Sequence, residues 1–151
     1  MSLLKKQDKL NIVSHPAHLL TILEPFTEDD NIFYDKQQFH HLLHIEKIRA
    51  ERSQKPLLLM LLDISAIINN GAPKDTPYKI QTALSPALRQ VDIRGWYNQN
   101  QTIGVIFTEI SSIDANSIEV IIRKIYKRFC ESLDNDLINK INIFFHIYPK
   151  M

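Results

Sequence analysis

Apolar positions return along this chain in three patterns, and each predicts a different element. Over residues 35–53, Phe39, Leu42, Leu43 and Ala50 recur near helical spacing, which predicts a first helix. Asp35 stands where its carboxylate can accept bonds from the free amides of the first turn, and Lys47, Arg49 and Arg52 suit the negative end of the helix dipole. Leu57 to Leu62 is an unbroken apolar run between Pro56 and Asp63, the pattern of a central strand buried on both faces. Residues 64–77 hold Asn69-Asn70-Gly71, Pro73 and Pro77, and read as a loop after about one helical turn. A second helix is expected from Tyr78 to Val91, where Ser85-Pro86 either restarts the helix or kinks it. Ile93–Tyr97 and Thr102–Thr108 are strands on either side of the polar turn Asn98-Gln99-Asn100-Gln101. Ser111–Leu133 is a long helix, capped by Ser112 or Asp114, with Ile118, Ile121, Ile122, Ile125, Phe129 and Leu133 as its inward stripe. Ile141–Tyr148 alternates as a strand with both faces at least partly covered.

The order helix, strand, helix, strand, strand, helix, strand implies an α+β fold. It predicts a two-layer sandwich of the split β-α-β, ferredoxin-like kind, with helices packed on one face of a mixed, mainly antiparallel sheet. Residues 1–33 alternate short apolar and polar stretches and end in an acidic run, Glu28-Asp29-Asp30. They are expected to form a leader that packs on a domain spanning 34–151.

Composition narrows the function classes. The chain has 151 residues, 44% of them hydrophobic and 23% charged, enough for one domain with a real core. A net charge of +1 gives no electrostatic reason to expect a nucleic-acid partner. Cys130 stands alone, so no internal disulfide can form, which fits a reducing, cytoplasmic setting. No apolar run reaches the ~18–20 residues that a membrane span needs.

Several side chains invite a chemical reading. Asp63 leaves a buried strand, a position that suits either a metal ligand or a cap of the next turn. His40 and His44 lie four apart on a helix and could share a zinc, but no third ligand is evident; a solvated helix face is the competing reading. Trp96 and Tyr97 suit either base stacking or core packing. Lys124, Lys127 and Arg128 read as a solvated face, and Cys130 as a buried small hydrophobe. Arg89 and Asp92 form an Arg-x-x-Asp pair, either a local ion pair or a ligand site.

The register of these features carries a family likeness over roughly Asp35 to Tyr148. Phe39-x-x-Leu42-x-x-x-Glu46-x-x-Arg49-Ala50-x-Arg52, then Leu57-Leu-Leu-Met-Leu-Leu-Asp63-Ile64, resemble the first helix and first strand of the GGDEF domain, the fold of bacterial diguanylate cyclases. Leu88-Arg89-Gln90-Val91-Asp92, a five-residue spacer and Asn98-Gln-Asn-Gln-Thr102 fall in register with that family's Arg-x-x-Asp motif and signature hairpin. Ile103 to Ile110 is similar to the strand that follows.

The departures from the family pattern decide the expected function. Where the family has two glycines and an acidic pair, this chain has Asn98, Gln99, Asn100 and Gln101. The family's second metal-binding acid, two residues beyond Asp63, is Ser65 here. Phosphoryl transfer with divalent metal needs anionic oxygen ligands, and carboxamides carry no charge. The resemblance therefore implies a degenerate, non-catalytic domain with no metal, no cofactor and no catalytic residue. In the family the Arg-x-x-Asp motif binds cyclic di-GMP, so Arg89 and Asp92, with Arg94 as an added phosphate contact, are the expected ligand site. Some degenerate relatives act as receptors through this motif, and such domains occur in exopolysaccharide production. The implied role is regulatory, passing a signal to a fused domain or protein partner. The alternative is a structural or homodimerising module without a small ligand.

Overall fold

The computed structural model describes residues 32–108, 110 and 113–149. The expected leader lies outside the described residues, apart from Ile32 and Phe33. The elements are β1 (Phe33–Tyr34), α1 (Lys36–Ser53), β2 (Leu57–Asp63), α2 (Ser65–Asn69), α3 (Thr76–Leu84), β3 (Ile93–Asn98), β4 (Thr102–Phe107), α4 (Ala115–Ser132), α5 (Asn135–Ile138) and β5 (Asn142–Tyr148). The five strands form one sheet in the order β1-β3-β4-β2-β5. β1 runs parallel to β3, and the other three pairings are antiparallel. The fold is α+β with a mixed, mainly antiparallel sheet, as the pattern predicts.

The layering differs from the expectation. β2 presents Leu58, Met60 and Leu62 to one face and Leu57 and Leu59 to the other, and all five are buried. A strand that is apolar on both faces needs cover on both. The helices accordingly divide. α1 sends Phe39, Leu43 and Ala50 onto Leu57, Leu59 and Ile106. On the opposite face, Ile80 and Leu84 of α3 and Ile125 and Phe129 of α4 cover Leu58, Met60, Leu62, Ile103 and Val105. The order is helix, sheet, helix, three layers rather than two.

Two glycines set how closely α1 approaches. Gly95 of β3 lies opposite Gly104 of β4, and both face α1. The fully buried Phe39 ring drops into the notch they leave. A Cβ on Gly104 would stand 2.5 Å from Phe39 Cζ, and one on Gly95 would stand 2.6 Å from the Tyr34 carbonyl oxygen.

Local capping follows side-chain chemistry. Asp35 accepts from the Gln38 amide at 2.8 Å and starts α1. Asp114 caps α4, accepting from the Ser117 amide at 2.8 Å and its hydroxyl at 2.9 Å. Those bonds, the amide first, hold the Asp114 carboxyl below the usual carboxylate range. The helix expected to reach Val91 stops short: α3 ends at Leu84 and a single 3₁₀ turn covers Ser85–Ala87. Pro86 has no amide to give the α-helical ladder, and Leu88 turns to an extended conformation. Val91 is therefore exposed, not on a buried helix face. Cys130 is also exposed. It follows Phe39's counterpart on the other face, Phe129, by one residue, and a step of about 100° carries it off the inward stripe.

Candidate functional site

The fold brings Asp63 to the hairpin. Asp63 pairs across the sheet with Thr102, and the Ile64 amide donates to the Gln101 carbonyl at 3.0 Å. The hairpin closes through a bond from the Gln101 amide to the Asn98 carbonyl at 3.0 Å. Asn100 takes φ +61°, a left-handed conformation that asparagine tolerates better than most residues.

None of these side chains is arranged as a metal cradle. Asp63 Oδ1 accepts from the Ser65 amide at 2.9 Å and from the Ser65 hydroxyl at 2.7 Å, a cap on the turn into α2. The Gln99 carboxamide oxygen accepts the Lys36 amide at 3.1 Å. That amide belongs to the first turn of α1, where a helix offers no internal partner. The hairpin is tied to α1 a second time, since His40 Nε2 donates to the Tyr97 carbonyl at 2.7 Å and the two rings lie 4.7 Å apart. Magnesium of the kind diguanylate chemistry uses does not fit this donor set: Asp63 supplies one carboxylate, and Asn100 and Gln101 offer only neutral oxygens. Among the described residues no three His, Cys, Asp or Glu side chains are grouped for a metal. His44 is exposed, whereas His40 is half-buried against Tyr97. Trp96 is buried in the core and meets Phe33 edge-on.

The Arg-x-x-Asp pair is a closed clasp. Asp92 Oδ2 accepts the Arg89 amide at 2.7 Å, and Oδ1 accepts Arg89 Nη2 at 2.8 Å and Nε at 3.2 Å. Arg89 Nη2 also donates to the Thr108 carbonyl at 2.7 Å, which fastens the loop to the end of β4. The Asp92 side chain is 1% exposed and that of Arg89 47%. Arg94, expected as an outward phosphate contact, points inward and is buried. Its Nη1 donates to Ser85 Oγ at 3.2 Å, and its Nη2 to the carbonyls of Arg89 and Asp92 at 2.9 and 3.3 Å. Asp92 precedes the strand, so strand alternation does not carry from it to Arg94. Burial pushes the Arg94 guanidinium down from its ordinary range while the Asp92 charge holds it up, and it stays charged at neutral pH.

Beside the clasp is an open cavity of about 360 Å³, lined in part by Arg89, Asp92, Phe107, Ile113, Val120 and Lys124. Nothing in the residue pattern points to Ser85 and Thr108 as partners of the arginines. The isolated glycines in two strand patterns were a readable signal of close backbone approach.

Solved structures of similar architecture include GGDEF and diguanylate cyclase proteins. One is a DGC protein from Thermotoga maritima: 19% identity, 80% of this chain and 86% of that chain covered, TM-score 0.57. A second is the GGDEF domain of TpbB (YfiN) from Pseudomonas aeruginosa: 14% identity, 82% and 76% covered, TM-score 0.56. A third is the diguanylate cyclase SiaD in complex with its activator SiaC, also from Pseudomonas aeruginosa: 12% identity, 87% and 52% covered, TM-score 0.55. At these identities the likeness establishes the fold. No protein-family model matches the chain, and no curated protein matches it. Among the described residues no helix is long and apolar enough to cross a membrane.

Proposed function

We propose that this chain is a non-catalytic regulatory domain of GGDEF fold that works through protein contacts and makes no nucleotide. The observation that carries this reading is the donor set at the hairpin. Its one carboxylate, Asp63, is already committed to Ser65, and a hairpin side chain, Gln99, is spent on capping α1. A triphosphate and its cations would find no anionic cradle there. SiaD, of the same fold, is held by a protein activator, which supports a protein partner or a fused domain as the receiver of the signal. Incubation with GTP and Mg²⁺ is expected to yield neither cyclic di-GMP nor pyrophosphate above a protein-free control. Steady product formation would overturn the proposal.

A second reading, a cyclic di-GMP receptor, is favoured by one observation. Arg89 is half-exposed at the mouth of the 360 Å³ cavity, where its planar fork could grip a phosphate or a guanine edge. Against it stands the closed clasp. Guanine recognition by Asp92 requires the carboxylate to leave three Arg89 donors, and a phosphate contact by Arg94 requires it to leave the interior. Asp92 is buried and Arg89 half-exposed, so parting the carboxylate from these donors costs roughly 1–3 kcal/mol, and each ~1.4 kcal/mol weakens affinity tenfold. Calorimetry is therefore expected to detect no micromolar binding of cyclic di-GMP. Micromolar heat that vanishes in Arg89→Ala would establish the receptor instead.

A further inference from the structure

The hairpin and the start of α1 satisfy each other's backbone. Lys36 opens α1, so its amide has no partner within the helix. The Gln99 carboxamide supplies one from 63 residues away. α1 serves the hairpin in return. In the ladder between β3 and β4, Trp96 stands opposite Ile103 and Asn98 opposite Thr102, so Tyr97 is an extra residue with no opposite number in β4. A bulge of this kind drops the extra residue from the ladder and re-aims the strand. The Tyr97 carbonyl accepts from His40 Nε2 at 2.7 Å, and the two rings lie against each other. His40 directly follows Phe39, whose ring fills the notch between Gly95 and Gly104 of the same two strands.

The chain reaches this junction through β1. Phe33 and Tyr34 pair in parallel with Arg94 and Gly95, and Asp35 then caps α1 by accepting from the Gln38 amide. Between Tyr34 and His40 the chain therefore meets β3 by strand pairing, the turn through Gln99, the notch through Phe39 and the bulge through His40. Each contact joins the two elements, so neither can open without stripping backbone partners from the other.

We propose that the β3–β4 hairpin and the β1–α1 entry form one cooperative unit, a latch that opens and closes as a whole, so that a displacement of β1 or of the first turn of α1 reaches the hairpin. Proteins open locally in contiguous cooperative units that often coincide with a supersecondary motif. The coupling is reciprocal: whatever loosening the hairpin does to α1, loosening α1 does to the hairpin. The latch needs neither a nucleotide nor a protein partner, and so it stands apart from the regulatory reading.

Crossed hydrogen-exchange measurements on the full chain, followed amide by amide by NMR, test it. Gln99→Ala, a change in the hairpin, is read at the Gln38 and Phe39 amides of α1, which bond to Asp35. Asp35→Ala, a change at α1, is read at the Gln101 and Ile64 amides, which close the hairpin and tie it to the end of β2. Each variant is expected to speed exchange in the other element by about fivefold, the factor that corresponds to losing a typical helix cap. The Ile125 and Phe129 amides of α4 should keep their wild-type rates. An effect confined to the substituted element overturns the inference. So does acceleration of the α4 amides by the same factor, which is a loss of global stability. If circular dichroism shows that either variant fails to fold, His40→Ala read at Gln101 and Ile64 decides in its place. Exchange about fivefold faster there bears the latch out, and unchanged exchange overturns it.

Discussion

Asp92→Ala is expected to lower the free energy of unfolding by roughly 3–5 kcal/mol, the cost of leaving a buried charge without its partner. The substitution strands two arginines. Arg89 loses the acceptor for its amide, Nε and Nη2. Arg94, buried beneath the loop, loses the negative charge that offsets its burial. Arg89→Ala should cost less, about 1–3 kcal/mol, because the buried Asp92 carboxylate keeps the Arg89 amide and the neighbouring Arg94 charge. Asp92→Asn should fall between the two, keeping one acceptor and losing the charge. Urea unfolding followed by Trp96, the single buried tryptophan, measures all three. A cost below about 1 kcal/mol for Asp92→Ala would mean that the clasp does not hold the loop. The carboxylate would then be cheap to free for a ligand, which would favour the cyclic di-GMP receptor.

Gly104→Ala is expected to destabilise by about 2–3 kcal/mol, the upper part of the range for overpacked cores. The new methyl would stand 2.5 Å from Phe39 Cζ and 2.7 Å from Cε2. The ring has no retreat, since it is fully buried and its other edge lies against Gly95. Phe39→Ala should cost about 3–5 kcal/mol by the opposite fault, a cavity beneath α1. Because methyl and ring compete for one space, Gly104→Ala combined with Phe39→Leu should be less damaging than the sum of the two changes, by about 1 kcal/mol or more. Denaturant melts of the two single variants and the double variant supply the cycle. Additive costs, or a Gly104→Ala protein as stable as wild type, would show that α1 does not seat in this notch. α1 also receives the hairpin through Gln99 and His40, so its seating sets where the hairpin stands.

The expectation that cyclase chemistry is lost comes from residue identity alone, because charge belongs to the residue and not to its placement. Asn98, Gln99, Asn100 and Gln101 are neutral wherever they lie, and Ser65 is not a carboxylate in any fold. The competing readings of Asp63 were separable only by coordinates, which put its Oδ1 on Ser65. Arg89 and Asp92 were visible as a motif. Whether they faced a ligand or each other depended on Thr108 and Ser85, partners 19 and 9 residues away from the arginines they bind.

Local periodicity determined α1, β2, the hairpin, α4 and β5, because each repeats its apolar positions over enough residues for the pattern to exceed chance. β1 and α5, of two and four residues, are too short to carry a period. The division of helices between the two faces, the inward turn of Arg94 and the seat of Phe39 were decided by tertiary structure alone. Each depends on which strands become neighbours, and that is set by burial summed over the whole sheet rather than by any segment's own pattern.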